Sequence, residues 1–433
     1  MGAVKTVRIR AARASATAVM VAAMAAGMTG CGQPQPNLRI AETQATGNGV
    51  LKIGMILEST GQQKFLNDSQ RAAVQLAVRE INDAGGFNGQ PVRLLPTQGG
   101  EAAVVAAQDF IDGGADVVIG PTDSSHAPAA IDMLSDAGTV LISPSNGAAA
   151  LSDYSSGGYY FRTYPSNVLE AKALAEQVWK AGKRDVVIVH DESAYGGTVA
   201  GVVKEELAAR GASPALVSTA GGAAQAVAEA TEAGPDAVVV VAREAQNVLE
   251  QLTASGIAPS ALFLGSAATG NYHGELQAGV LEGSHGILAG SLPSNQFQHR
   301  ILTVNPDLAH LTFAAEAYDA VILAALAAAD ADDDAGASIA AHLLEVSGNY
   351  EYTDDASASS GPAPTDCSGF AQCLTLLDQD KPIDYRGQSG PTTFDADGDI
   401  TEARFKLYEY GADGRAVPAK TILVTTAGSD PQE

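Results

Sequence analysis

The chain has 433 residues, of which 46% are apolar and 46 are glycine, enough to fill the cores of two domains of ordinary size. Fifty acidic residues against 25 basic ones leave a net charge of −25, which argues against a nucleic-acid partner and against adsorption to anionic lipid by charge.

At the N-terminus, Lys5, Arg8, Arg10 and Arg13 precede an uncharged apolar run over 14–28. Its length suits secretion and falls short of the roughly 20 residues a spanning helix needs. Met28-Thr29-Gly30-Cys31 follows and resembles a bacterial lipoprotein signal, with Met28 where leucine is commonest. The resemblance implies removal of 1–30, diacylation of Cys31 and an extracytoplasmic protein lipid-anchored to the cell membrane. An ordinary signal peptide beside a chance cysteine is the alternative. Residues 31–49, rich in Pro, Gln, Thr and Gly, read as a tether without a core-forming pattern. With Cys31 lipidated, Cys367 and Cys373 are left as a pair with five residues between them, a loop that would close as a disulfide in an oxidising compartment. A zinc site is the weaker rival, because the spacing is wrong for a zinc knuckle and no histidine lies nearby.

From residue 50 the chain alternates. A buried-strand run over 50–57 precedes a helix over 69–84 with Val74, Leu76, Ala77, Val78 and Ile81 as its apolar stripe. Gly85 and Gly86 suit a left-handed cap. Strand 91–95, helix 102–111, strand 116–120, helix 127–136 and strand 139–142 follow, the pattern of a parallel sheet with helices on both faces. The rhythm restarts with helix 168–181 and strand 185–189. Helix 197–210, strand 215–218, helix 223–232, strand 236–241, helix 245–255 and strand 261–264 come next. Two such units predict an α/β fold of two doubly wound, Rossmann-like lobes. Beyond 290 come a long helix over 308–329, an acidic loop, a helix over 337–346, and β-like segments over 404–410 and 419–425.

Ligands of parallel sheets bind at the carboxyl ends of the strands. The loops there are Glu58-Ser59-Thr60-Gly61, 121–126 with Ser124, Ser125 and His126, 143–147 with Ser145, Asn146 and Gly147, 190–196 with Tyr195, 242–244 with Arg243, and 265–269. They are poor in catalytic chemistry and rich in small hydrogen-bonding groups, which suits a small polar or zwitterionic ligand. The sequence has no G-x-S-x-G elbow, no H-E-x-x-H and no P-loop, and adjacent Ser125 and His126 do not make a triad. Asp395-Ala396-Asp397-Gly398-Asp399 is half a calcium loop with its glycine too early, and reads as a turn. No enzyme activity, cofactor or metal is expected.

In order along the chain, 81–89 (INDAGGFNG), Val118-Ile119-Gly120, Ile142-Ser143-Pro144-Ser145, His190-Asp191 with Tyr195-Gly196, and 390–395 with Gly398-Asp399 resemble the type I periplasmic binding proteins. The likeness is to the leucine/isoleucine/valine-binding group that feeds ABC importers. It implies two lobes joined by three crossovers, near 162–167, 286–291 and 387–394, closing on ligand. The first lobe would comprise 50–164 and 290–390, the second 165–289 and 391–426. It further implies a monomer that captures a branched-chain amino acid or a related amide or carboxylate and delivers it to an ABC permease and its ATPase. A ligand sensor of the same fold is the alternative.

By the same resemblance Ser124 and Ser125 would bind the ligand carboxylate, with Ser145, Asn146 and Gly147 adding contacts. Tyr195 would cover the ligand from the second lobe, and Phe65 or Leu66 would flank its side chain. One departure is expected to matter. The family's amino-acid binders place an acid after the strand ending here at Leu264, where this chain has Ser266, Ala267 and Ala268. Glu58 or Glu192 would then face the ammonium, or the ligand lacks one and uses Arg243. Arg243 reads equally well as a solvated residue at a helix start.

Overall fold

The computed structural model describes residues 45–58, 66–97, 102–290, 293–350 and 363–426. The signal segment, Cys31 and Phe65 lie outside them.

The first lobe opens with β1 (Lys52–Met55), α1 (Asn67–Asp83), β2 (Arg93–Leu94), α2 (Ala103–Asp112), β3 (Val117–Ile119), α3 (Ala127–Asp136), β4 (Val140–Ser143) and β5 (Tyr160–Arg162). The strands form a parallel sheet in the order β2-β1-β3-β4-β5. Its central strand β3, Val-Val-Ile, is wholly apolar and buried because both faces are covered, whereas β2 at the edge is Arg93-Leu94 with Arg93 exposed. Val117 and Ile119 pack toward the α1 side, while Val118 between them packs with Ala107 and Phe110 of α2 and Ile131 of α3.

The second lobe takes up α4 (Asn167–Lys180), β6 (Asp185–His190), α5 (Ala194–Ala209), β7 (Ser213–Ser218), α6 (Ala223–Glu232), β8 (Ala237–Val241), α7 (Gln246–Ala254), β9 (Leu262–Leu264) and β10 (His285–Ala289). The chain then supplies α8 (Asn295–Leu302), α9 (Ala314–Ala331), α10 (Gly336–Val346), β11 (Thr365–Cys367), α11 (Phe370–Leu377) and β12 (Ile383–Tyr385), and ends with β13 (Glu402–Tyr410) and β14 (Ala416–Thr425). The second sheet runs β14-β13-β10-β9-β8-β6-β7, parallel through β10 and antiparallel from β10 to β14. The chain is therefore α/β with two doubly wound lobes.

Helices α8 and α9 return to the first lobe. Arg300 of α8 donates to Glu80 of α1 at 2.9 Å, and α9 and α10 pack against α1 and the first sheet. The long helix starts at Ala314, six residues later than its hydrophobic pattern suggests. Phe313 holds a left-handed φ of 60°, a conformation that cannot propagate a right-handed helix.

Two crossover expectations shift. Residues 286–289, expected to cross, are part of β10, and the chain turns away only at Gly290. Residues 394–400, expected with the second lobe, run beside the end of β5 instead. The Arg162 N–H donates to the Gly398 carbonyl at 3.0 Å, and Phe394 meets Phe161 edge to face. Arg162, fully buried, donates through Nε to Asp399 Oδ1 at 2.6 Å and through Nη2 to Asp399 Oδ2 at 2.5 Å. Its Nη1 donates to the carbonyls of Asn146 and Ala148. Asp395 to Asp399 is the turn between Phe394 and Ile400, with the Asp397 and Asp399 N–H groups donating to Asp395 Oδ1.

Cys367 and Cys373 are joined in a disulfide that fastens the end of β11 to α11. Among the described residues no helix is long and apolar enough to cross a membrane.

Candidate ligand-binding cleft

Each sheet has one topological switch point, where neighbouring strands send their crossovers to opposite faces and the loops part to leave a crevice. In the first lobe it lies between β1 and β3, in the second between β6 and β8. The loops at these points are 56–58 with 120–126, and 191–196 with 242–245.

The two switch points share one wiring. Glu58, almost fully buried, accepts the Asp123 N–H through Oε1 at 2.7 Å. Asp191 accepts the Arg243 N–H through Oδ2 at 2.8 Å. Each acid after the central strand thus ties down the loop after its neighbour. Glu58 also meets His126 Nδ1 at 3.1 Å, and its own N–H and carbonyl are held by the Asn67 amide of α1. Glu192, the other candidate partner for an ammonium, is exposed and accepts from Ser218 Oγ. Both acids thus have partners within the protein.

Of the first-lobe candidates, Ser145 and Asn146 are buried and spent on the scaffold. Ser145 Oγ donates to the Thr122 carbonyl at 3.0 Å. Asn146 donates to the carbonyls of Pro121 and Thr122, and its Oδ1 accepts from Tyr160. These bonds satisfy the bend that follows the cis Gly120–Pro121 peptide. Gly147 packs on the start of α4, where its carbonyl accepts the Asn167 N–H at 2.7 Å and a Cβ would lie 2.4 Å from Asn167 Oδ1. Ser124 and Ser125 are the accessible hydroxyls. Ser124 Oγ accepts the Ala148 N–H, and Ser125 closes a turn on Asp123 Oδ1. Burial alone would raise the Asp123 carboxyl, but the Ser125 bonds and the charges of His126 and Arg243 outweigh it and hold it below the usual range. Arg243, exposed on the second lobe, therefore lies within electrostatic reach of the first-lobe loop. Its guanidinium makes no ion pair among the described residues.

Tyr195, expected to cover the ligand, is the second residue of α5, is 9% exposed, and donates its hydroxyl to Glu170 Oε1 at 2.6 Å. Glu170 is the residue that the sequence reasoning missed, because it sits in a helix rather than a strand-end loop. It belongs to the first turn of α4, just after the first crossover, and is 3% exposed. Oε1 also accepts the Ser266 N–H at 2.8 Å, and Oε2 accepts Ser266 Oγ at 2.7 Å. Burial raises its pKa, and these three bonds only partly offset that. Ser266 and Ala267 stand where the family's amino-acid binders were expected to carry an acid, so the side chain that reaches this loop comes from α4.

These features define a two-lobed α/β chain with small polar groups at its strand ends, and the chain belongs to the periplasmic binding protein family, whose model matches residues 50–372. It is 29% identical over 165 residues to the leucine-, isoleucine-, valine-, threonine-, and alanine-binding protein of Pseudomonas aeruginosa, covering 36% of this chain and 42% of that protein. The matched stretch thus spans less than half the length of that relative. Over 364 residues the chain is 24% identical to the chemotactic signal transduction system substrate-binding protein BasB of Halobacterium salinarum, covering 78% of this chain and 82% of BasB. Its fold matches that of LivJ, the branched-chain amino acid transporter substrate-binding protein of Streptococcus pneumoniae in complex with isoleucine, with a TM-score of 0.61. Identity there is 22%, and the match covers 87% of this chain and 99% of LivJ.

Proposed function

We propose that the protein is an extracytoplasmic solute-binding lipoprotein, anchored through Cys31, that captures a small branched-chain amino acid or a related compound for an ABC importer. The observation that carries this reading is the pair of stapled switch points, with Ser124 and Ser125 on one side and Arg243 and Ser266 on the other. Rigid loops carrying spare hydrogen-bonding groups favour binding a small polar solute over transforming it. The ligand enters between the lobes, the second lobe adds its contacts on closure, and the open–closed equilibrium shifts by that difference in affinity. The likeness to amino-acid-binding relatives supports the ligand class. The longer match to BasB supports a second reading, in which the bound form reports to a signalling partner rather than to a permease.

A thermal-shift screen of the full chain in detergent against amino acids, amides, small carboxylates and sugars tests this. At a hundredfold excess over Kd, a ligand adds about 2.7 kcal/mol to native stability, so a hit raises Tm clearly. Leucine, isoleucine or valine should score, and Ser125→Ala should weaken the hit without lowering the unliganded Tm. Silence across the whole panel would sink the reading.

A further inference from the structure

We propose that Glu170, carried by helix α4 rather than by a strand-end loop, is the counter-ion for a cationic ammonium on the ligand, with Ser266 and Tyr195 as the residues that aim it. The inference rests on the solute-binding reading above and names the chemical class of the solute as a zwitterion. A carboxylate offers about four acceptor positions. Three are filled, by Tyr195 Oη, the Ser266 N–H and Ser266 Oγ, and all three donors are neutral. Among the described residues no Lys, Arg or His pairs with Glu170. A buried carboxylate without a cation is costly, and a protein retains one where something else supplies the charge.

The other buried acids are provided for. Asp399 has Arg162, and Asp319 is enclosed by four donor bonds from Tyr385, Gln388 and Ser389. Glu316 shares its surroundings with Lys406. Unlike these three, Glu170 lies against the loop at the carboxyl end of β9, and unlike Glu58 at the first-lobe switch point it has no histidine beside it among the described residues. It sits beneath Ser266, which is partly exposed, and Ala267, which is exposed and donates its N–H to Tyr195 Oη at 3.2 Å. Gly265 keeps the approach narrow, since a Cβ there would lie 2.7 Å from Tyr195 Oη and 3.4 Å from Glu170 Oε1. The remaining acceptor position on Oε2 would receive one ammonium N–H, and the ligand's positive charge would complete the site. Ala267, lacking a side chain long enough to compete, leaves that position to the ligand.

The test is calorimetric titration of the full chain with leucine and with 4-methylpentanoate, which keeps the carboxylate and the side chain but has no ammonium. Glu170→Gln should weaken leucine at least a hundredfold and leave 4-methylpentanoate bound no more weakly than by wild type. Adding Ala267→Glu to that variant should restore at least tenfold of the lost leucine affinity, which a merely structural role for Glu170 does not predict. Ala267→Lys alters only an exposed position and should lower leucine at least tenfold relative to 4-methylpentanoate. Leucine retained within threefold by folded Glu170→Gln, or an unchanged ratio in Ala267→Lys, would overturn the inference. A wild-type chain that takes 4-methylpentanoate but not leucine overturns it while leaving the solute-binding reading standing. A chain that takes neither sinks both.

Discussion

The two lobes solve the same problem with the same device and differ in how deeply they bury it. Glu58 in the first lobe and Asp191 in the second each accept a backbone N–H from the loop across the switch point. Glu58 is almost fully enclosed and also meets His126, whereas Asp191 is partly exposed and shares its load with Ser193. The acids nearest the crevice are thus structural in both lobes. With Glu170 as the proposed counter-ion, charge recognition would fall to a residue outside both loops, which separates the rigidity of the site from its specificity.

The largest expected effect comes from the ion pair that ties the 395–399 turn to the end of β5. Arg162→Met leaves Asp399 buried without its partner and should cost about 3–5 kcal/mol, read as a lower midpoint in urea denaturation. The staples come next and sharpen the comparison. Glu58→Ala empties an almost fully enclosed site, frees the partly buried Asp123 N–H and should cost about 3 kcal/mol, against about 1 kcal/mol for Asp191→Ala, where water can replace the lost acceptor. Equal losses would mean the two switch points are energetically alike. The smallest effect is one of pH. Burial lifts Glu316 to about 7 from its ordinary 4.5, with Asp319 adding to the rise and Lys406 opposing it. Between those values the folded chain holds a proton that the unfolded chain has lost, so stability should fall by about 1–2 kcal/mol as pH rises from about 5 to about 7. Glu316→Gln should remove that part of the slope in denaturation curves measured across this range.

Much of this frame is legible in the residues themselves. Helices α3 and α6 occupy the ranges their periodicity predicts, and the parallel strands announce themselves as short apolar runs. Strands β5 and β10 escape such reading for a local reason. Tyr160–Arg162 is only three residues long and follows two glycines, and His285–Ala289 carries a glycine within it. The site was legible as a set of loops and not as a set of roles. Ser145 and Asn146 read as ligand contacts in the sequence, which gives no sign that their side chains also donate to the carbonyls of Pro121 and Thr122. Glu170 and Ser266 are 96 positions apart, and Arg162 and Asp399 are 237 apart. No periodicity or motif brings such pairs together; only the packing of α4 and of the third crossover does.

Hydrogen–deuterium exchange of the full chain with and without saturating leucine tests the central claim most directly. Binding between the two switch points predicts added protection in 121–126 on one side and in both 242–245 and 265–268 on the other, with little change in α6 and α7 behind the second sheet. Protection confined to one lobe, or absent from both sets of loops, would contradict it.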